Sequence, residues 1–305
     1  MEYCRGIVSV VVATFNQKKS FEKCICSLHN QRYSCLEVVL INNGEEDFLK
    51  NINSGFSLLK VINNKKNLFF SQSQNQGIKV SRGEFVLCLN DDVVLEDNFI
   101  DELVKIVSLN ERIGMVSGKI LRMDKITIDS AGLFLGKSRK PVERGFNQKD
   151  IGQYNKEGYI FGVSGAVAFY RRTMLEDIRD ESGYFDERYG MFYEDLDLAW
   201  RASKKGWRGY YNPKAVAYHE RGASAKTFFS GPWFLRKYSF VYLNDAIKIR
   251  LIKNRYLTII KNDSFWGIIF NLPFILAYEI KLYICIVLFF PKLFKQICKG
   301  LLNRC

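Results

Sequence analysis

Phe85-Val86-Leu87-Cys88-Leu89 is an unbroken apolar run that stops at Asn90-Asp91-Asp92. Such a run reads as a strand buried on both faces, the signature of a parallel sheet covered by helices. Open α/β sheets bind their ligands at the C-terminal ends of such strands, where these carboxylates stand. Two adjacent carboxylates repel unless a cation sits between them, and a hard divalent ion that bridges to a substrate's phosphates suits them. The bland alternative is a turn and N-cap ahead of a helix over Leu95 to Leu109, since Asp and Asn favour that job too.

The same pattern recurs through the first third of the chain. Ile7 to Val12 is a second apolar run, closed by Ala13-Thr14-Phe15-Asn16, after which Ser20 caps a predicted helix through His29. Leu36 to Ile41 repeats it and ends in Asn42-Asn43-Gly44, a tight turn. Leu58 to Ile62 reads as a short strand, and Asn67 to Gly77 as a polar loop entering a helix that ends near Val80. Strands alternating with helices at this spacing predict a mostly parallel, doubly wound α/β sheet with right-handed crossovers. Thr14, Asn42 and Asp92 then share one rim, where one nucleotide touches all three.

Beyond Asp92 the pattern changes. Ile113 to Leu121 and Ile126 to Leu135 read as strands, and Lys137 to Glu157 as a mobile loop. Val163 to Tyr170 is a small-residue strand, and Ala215 to Tyr218 a short strand closed by His219. In Tyr193-Glu194-Asp195-Leu196-Asp197-Leu198-Ala199-Trp200, the residues Leu196, Ala199 and Trp200 fall on one helical face. Glu194 and Asp195 lie at that helix's N-terminus, which stabilises carboxylates as anions; simple helix capping explains the pair equally well. His219, one of two histidines, ends a strand where a ligand would stand.

Seven short motifs in order carry a resemblance: Val-Val-Ala-Thr-Phe-Asn at 11–16, Ile-Asn-Asn-Gly at 41–44, Gly-Glu-Phe-Val-Leu-Cys-Leu-Asn-Asp-Asp at 83–92, Gly-Val-Ser-Gly-Ala at 162–166, Gly-Tyr-Phe-Asp-Glu at 183–187, Tyr-Glu-Asp-Leu-Asp-Leu at 193–198 and Ala-Tyr-His at 217–219. Residues 7–225 thereby resemble the family 2 inverting glycosyltransferases, and within them rhamnosyltransferase-like enzymes of bacterial surface polysaccharide assembly. The resemblance implies a nucleotide-diphosphosugar transferase fold of the GT-A kind over residues 1–230. It implies that Thr14, Asn16 and Asn42 line the nucleoside pocket, with Asn75, Asn90 and Asp91 also on the donor side. Asp92 would hold Mg2+ or Mn2+ on the diphosphate, with His219 completing the metal shell. Asp195, beside Glu194, would be the catalytic base, and Ser164, Gly165, Tyr193 and Trp200 would form the acceptor and sugar pocket. Two departures stand out: Asn42 replaces the family's usual Asp, and Asn90 opens the metal motif. An amide oxygen still accepts the N3–H of uracil or thymine, without charge. The donor implied first is dTDP-rhamnose, then a UDP-hexose.

Charge divides the chain unevenly. The net charge is +13, and residues 231–305 hold 12 Lys and Arg against Asp245, Asp263 and Glu279, which is +9. A basic tail suits nucleic acid or an anionic membrane, and stretches such as Phe265-Trp266-Gly267-Ile268-Ile269-Phe270 are too apolar for a nucleic-acid arm. Glu279, Lys281, Pro273 and Pro291 interrupt every span before the ~20 residues of a transmembrane helix, so helices lying in the interface are expected over 231–305. A re-entrant hairpin and a tail packed on the rest of the chain or on a homodimer partner stay open. Eight cysteines without pairing rhythm, and no signal peptide, point to a reducing cytosol. Cys24 and Cys26 read as core filler. With the implied lipid-linked glycan acceptor, the expected location is the cytoplasmic face of the cell membrane. A sugar nucleotidyltransferase is the weaker alternative, since Val11 to Asn16 contains no glycine for a phosphate loop. A catalytically degenerate scaffold rests on Asn42 and Asn90, and nucleic-acid binding is opposed by the even charge of residues 1–230.

Overall fold

The computed structural model describes residues 3–45, 49, 55–221 and 239–302. The chain divides into two units, one comprising residues 1–134 and 141–221, the other 135–140 and 222–305. The expected boundary at residue 230 lies outside the described residues.

The first unit is a ten-stranded mixed sheet with helices on both faces. Its parallel half is built from β1 (Cys4–Thr14), α1 (Lys18–His29), β2 (Leu36–Asn42), β3 (Leu59–Asn63), α2 (Phe69–Val80) and β4 (Gly83–Asn90), with strands side by side in the order β3, β2, β1, β4. The apolar runs are explained by double coverage. Val8, Val10, Val12, Val38, Leu40, Leu87 and Leu89 pack on one face against Phe21 and Leu28 of α1. Alternate residues Val11, Val39, Ile41, Val86 and Cys88 pack on the other against Ile78 of α2. Gln17 rather than Ser20 precedes α1, and the Ser20 hydroxyl donates instead to Glu220 at 3.0 Å. Cys24 is buried as expected, whereas Cys26 is exposed and fills no core.

After β4 come β5 (Val93–Leu95), α3 (Phe99–Val107), β6 (Ile113–Arg122), β7 (Ile128–Ser130), β8 (Leu133–Leu135), β9 (Pro141–Glu143), β10 (Gly158–Ile160), β11 (Val167–Arg171), α4 (Arg172–Ile178), α5 (Glu194–Lys204) and β12 (Arg208–His219). Here the sheet stops being uniformly parallel. β11 inserts antiparallel between β4 and β6, because the chain leaving β6 returns from the rim through short strands instead of crossing under the sheet in a helix. β12 runs parallel to β6. The helix expected from Leu95 begins only at Phe99, since Val93–Leu95 pairs with Ala217–His219 of β12. Asn90-Asp91-Asp92 is therefore a turn between two strands and not a helix N-cap. The expected mobile loop over Lys137 to Glu157 is tied down in its second part: Ala131 N donates to Arg144 O and Arg144 N to Gly132 O, and Lys119 Nζ sits 2.9 Å from Asp150.

Asp197 anchors α5. It is fully buried, accepts from Arg201 Nε at 2.9 Å, and Arg201 in turn donates to the carbonyls of Ile178 at 2.8 Å and Tyr184 at 2.6 Å. Asp197→Ala leaves that guanidinium without its counter-charge and is expected to cost about 3–5 kcal/mol, read as a lower urea midpoint at unchanged slope.

The second unit holds α6 (Asp245–Asn262), α7 (Phe265–Phe289) and α8 (Pro291–Leu302). Asn244 and Ser264 cap α6 and α7 by accepting from Ile247 N and Gly267 N, each at 2.9 Å. Two expectations change here. α7 runs unbroken through Pro273, which removes only one intrahelical bond. Glu279 does not interrupt it either, because Arg255 Nε at 2.7 Å and the Tyr256 hydroxyl at 2.6 Å, both from α6, cover the carboxylate. At 25 residues α7 is about 37 Å long, against about 30 Å for a bilayer core, so by length and composition it is able to cross a membrane. Phe265, Trp266 and Phe270 on it are exposed.

Candidate functional site

Parallel register builds the rim. Thr14 pairs with Asn42 and Asn42 with Asn63 across β1, β2 and β3, while Ala13 pairs with Asn90 of β4. Thr14 and Asn42 are buried, and Asn90 is half-buried. The Asn42 amide donates to Glu45 O at 2.8 Å and Asn63 Oδ1 at 3.0 Å, and its Oδ1 accepts from Gly44 N at 3.0 Å, which leaves one lone pair unused. Asn16 takes a left-handed φ of 57° and accepts from Glu45 N at 3.1 Å. A Cβ at residue 44 would lie 1.9 Å from Asn16 Oδ1, so only glycine fits that turn. Phe15, passed over in the sequence, is half-exposed beside them and offers a face to a nucleobase. The Asn75 amide both donates to Phe185 O at 2.8 Å and accepts from Phe185 N at 2.9 Å, which ties α2 to the Gly183–Asp186 turn.

The turn after β4 meets the end of β12. His219 pairs with Val93, and Glu220 N donates to Asp92 O at 2.9 Å, which brings His219 Nε2 to 3.2 Å from Asp92 Oδ1. The other ring nitrogen, Nδ1, is 2.8 Å from Asp129 of β7, and Asp129 also bonds Arg221. Burial opposes charge on His219, but its bonds to Asp129 and Asp92 prevail and lift its pKa to about 9. Burial, with the neighbouring Asp92 adding, raises Asp91 to about 6 against the opposing Thr14 hydroxyl and Phe15 N–H. Asp129 was not anticipated. Its only sequence signal is a carboxylate inside the otherwise apolar stretch Ile126 to Leu135.

Asp92 and His219 fit one divalent ion as an oxygen and nitrogen pair, and Asp129 fixes the ring in the way carboxylates fix metal-binding histidines. Among the described residues no group of three His, Cys, Asp or Glu side chains forms a cage, so a diphosphate and waters would have to complete the shell.

Asp195 opens α5 after two non-glycine residues with left-handed φ, Phe192 at 70° and Tyr193 at 73°. Such strain persists where the surroundings enforce it, commonly at working sites. Asp195 Oδ2 accepts from Gly165 N at 3.0 Å and Oδ1 from Leu196 N at 2.7 Å. Burial raises its pKa, with those backbone bonds pulling the other way. Glu194 and Ser164 are buried alongside, and Gly165 has Glu194 and Asp195 about its missing Cβ. Tyr193 and Trp200 are buried, and Trp200 packs edge-on to Phe161 at 6.4 Å.

Glu143, also unanticipated, extends this end. Ser130, next to Asp129, donates its hydroxyl to Glu143, and burial first, then the charge of Asp195, raise the Glu143 carboxyl to about 7. One polar chain thus runs from Asp92 through His219 and Asp129–Ser130 to Glu143, while Asp195 is held separately by Gly165 N.

The family described as "Glycosyl transferase family 2" matches residues 9–179. The chain is 25% identical over 219 residues to the poly-beta-1,6-N-acetyl-D-glucosamine synthase of Staphylococcus epidermidis, covering 69% of this chain and 49% of the relative. It is 32% identical over 117 residues to an uncharacterized glycosyltransferase of Haemophilus influenzae, covering 37% and 36%. The chain thus spans half or less of the length of these curated relatives. Among solved structures, the crystal structure of GalNAc-T7 with UDP, GalNAc and Mn2+ superposes with a TM-score of 0.57 at 15% identity, over 77% of this chain and 48% of that one, a likeness of fold. The family match stops short of Asp195 and His219, so their roles rest on geometry.

Proposed function

The chain belongs to glycosyl transferase family 2 and has the GT-A fold, and from that premise we propose that it is an inverting, divalent-metal-dependent transferase acting on a lipid-linked glycan in surface polysaccharide assembly. The observation that carries this reading is the Asp92–His219 pair at the turn after β4, braced by Asp129, together with the backbone-anchored Asp195 at the start of α5.

Inversion is one displacement. An acceptor hydroxyl attacks the anomeric carbon, its proton passes to an Asp195 oxygen, and the bond to the nucleoside diphosphate breaks on the opposite face. Asp195 suits the proton step because its two bonds to Gly165 N and Leu196 N fix the carboxylate, while burial keeps it more basic than an ordinary aspartate. Asp92 and His219 would hold Mg2+ or Mn2+, which when bound supplies Lewis-acid neutralisation of the diphosphate. Thr14, Asn42 and the exposed Phe15 would take the nucleoside, Asn42 through its remaining lone pair.

Donor choice falls among dTDP-rhamnose, favoured by motif resemblance, and a UDP-hexose or UDP-N-acetylhexosamine, favoured by likeness to the GlcNAc-polymer synthases. Exposed apolar residues on α7 and lysines 292 and 295 on α8 support attachment to an anionic membrane at the cytoplasmic face, each lysine worth about 1 kcal/mol near the surface. The test is protection against thermal unfolding by UDP, dTDP and GDP, each with Mn2+ or chelator. A Mn2+-dependent rise in midpoint is expected for UDP or dTDP and not for GDP. No rise with any of the three overturns the reading.

A further inference from the structure

Resting on that transferase reading, we infer that the cavity at the far end of α5 is a saccharide subsite. It holds sugars of the acceptor chain that lie a few units away from the hydroxyl that Asp195 deprotonates. The cavity measures about 370 Å³, and Tyr159, Phe161, Ser203, Trp207 and Arg208 are among its lining residues. Its volume is at the small end of the range for ligand sites, whose usual make-up is an aromatic lining with a few polar groups. Tyr159 belongs to β10, an end strand of the sheet, and is 53% exposed.

The aromatic rings are fixed by their own contacts. Trp207 Nε1 donates to Asp177 Oδ2 at 2.8 Å, and the Arg112 guanidinium lies over the indole at 5.6 Å. Tyr159 meets Tyr210 edge-on at 5.2 Å, and the Arg208 guanidinium lies 5.1 Å over the Tyr159 ring. A sugar ring matches this set twice: its C–H face packs on an aromatic ring, and its hydroxyls meet Arg208 and Ser203. A guanidinium carries N–H donors in a fixed fork, and a serine hydroxyl both donates and accepts. Tyr and Trp suit such a surface because each has an apolar body and a polar tip.

Continuity with the base identifies the saccharide as the acceptor chain. The stretch 161–165 runs antiparallel alongside α5. Phe161 meets Trp200 edge-on at 6.4 Å, a Cβ on Gly162 would lie 2.5 Å from Ala199 Cβ, and Gly165 N donates to Asp195 Oδ2 at 3.0 Å. Ser203 follows Asp195 by eight residues on α5, a separation of about 12 Å along the helix axis. Cavity and base therefore stand at the two ends of one seam. A single sugar at the base does not reach the cavity, whereas an oligosaccharide does.

The test measures binding to the full chain by saturation-transfer NMR and tryptophan fluorescence. The probes are the pentasaccharides of β-1,6-linked GlcNAc, β-1,4-linked GlcNAc and α-1,6-linked glucose, each beside its monosaccharide. At least one pentasaccharide is expected to bind about tenfold more tightly than its monosaccharide. Tyr159→Ala is expected to weaken that pentasaccharide about threefold to tenfold, with the unfolding midpoint and Mn2+-dependent nucleotide protection as in wild type. Arg208→Gln, at another exposed position, is expected to act in the same direction. Binding of none of the pentasaccharides, equal affinity for pentasaccharide and monosaccharide, or unchanged pentasaccharide affinity in both variants overturns the subsite. So does a mass by light scattering that halves in Tyr159→Ala, which assigns the cavity to a second copy of this chain. Tyr159-dependent pentasaccharide binding without nucleotide protection removes instead the transferase reading beneath it.

Discussion

Asp195→Ala is expected to lower sugar transfer by about 10²- to 10⁴-fold while UDP or dTDP with Mn2+ protects the protein as in wild type. The split follows from placement. Asp195 is held by backbone N–H groups at the start of α5 and the Asp92–His219 pair stands at the turn after β4, so loss of the base leaves the donor end intact. Asp195→Asn is the less innocent variant. Both carboxylate oxygens accept backbone N–H groups, from Gly165 and from Leu196, so the amide nitrogen of Asn must face one of those donors. That mismatch is expected to cost about 1–3 kcal/mol of stability in addition to the rate. The pH profile carries a second signature. Because burial raises the Asp195 pKa above the ordinary 3.8, the acid limb of transfer, where the base gains its proton, should lie above the ordinary aspartate range. For the fold the sign is opposite: a raised carboxylate pKa contributes stability at low pH, and that contribution is lost as pH rises through the folded value. Asp195→Ala removes this pH-dependent loss. A rate within a few-fold of wild type in Asp195→Ala would remove Asp195 as base.

The strands that were legible in the sequence are those buried on both faces. β1, β2 and β4 announce themselves as runs of Val, Leu and Ile because helices cover each side of them, and their parallel register then places Thr14, Asn42 and Asn90 together. The direction of β11 was not legible. Five residues carry no mark of polarity, and its antiparallel place between β4 and β6 is set by the route of the chain through β7–β10. β7, β8 and β9 have three residues each, too few for any periodicity, and they carry Asp129 and Glu143. Asp129 becomes a site residue only through its contact to His219, 90 residues away, and Glu143 only through Ser130 beside it. The clasp of the Asn75 amide on the backbone of Phe185 was illegible for a like reason, since its partner lies 110 residues away. Glu279 misled as a charge in an apolar run, since its partners Arg255 and Tyr256 come from another helix.

Asp92→Ala is expected to abolish the Mn2+-dependent part of nucleotide protection. Ligand at a hundredfold excess over its dissociation constant stabilises a fold by about 2.7 kcal/mol, and that increment is what the variant should lose. The pair geometry explains why one residue carries so much. Among the described residues Asp92 supplies the carboxylate on His219 Nε2, at 3.2 Å, while Nδ1 is already engaged by Asp129. Without Asp92 the imidazole keeps its Asp129 contact, and Asp129 keeps Arg221, so the turn should remain folded while the site loses its oxygen donor. Asp91 is a poor substitute, because burial raises its pKa to about 6. Asp92→Asn separates charge from shape: an amide oxygen can still accept from His219, so a normal unfolding midpoint with no Mn2+ response would assign the effect to the lost charge. Full wild-type protection by UDP or dTDP with Mn2+ in Asp92→Ala would move the metal away from this pair, and with it the reason for His219 to end β12 beside the turn after β4.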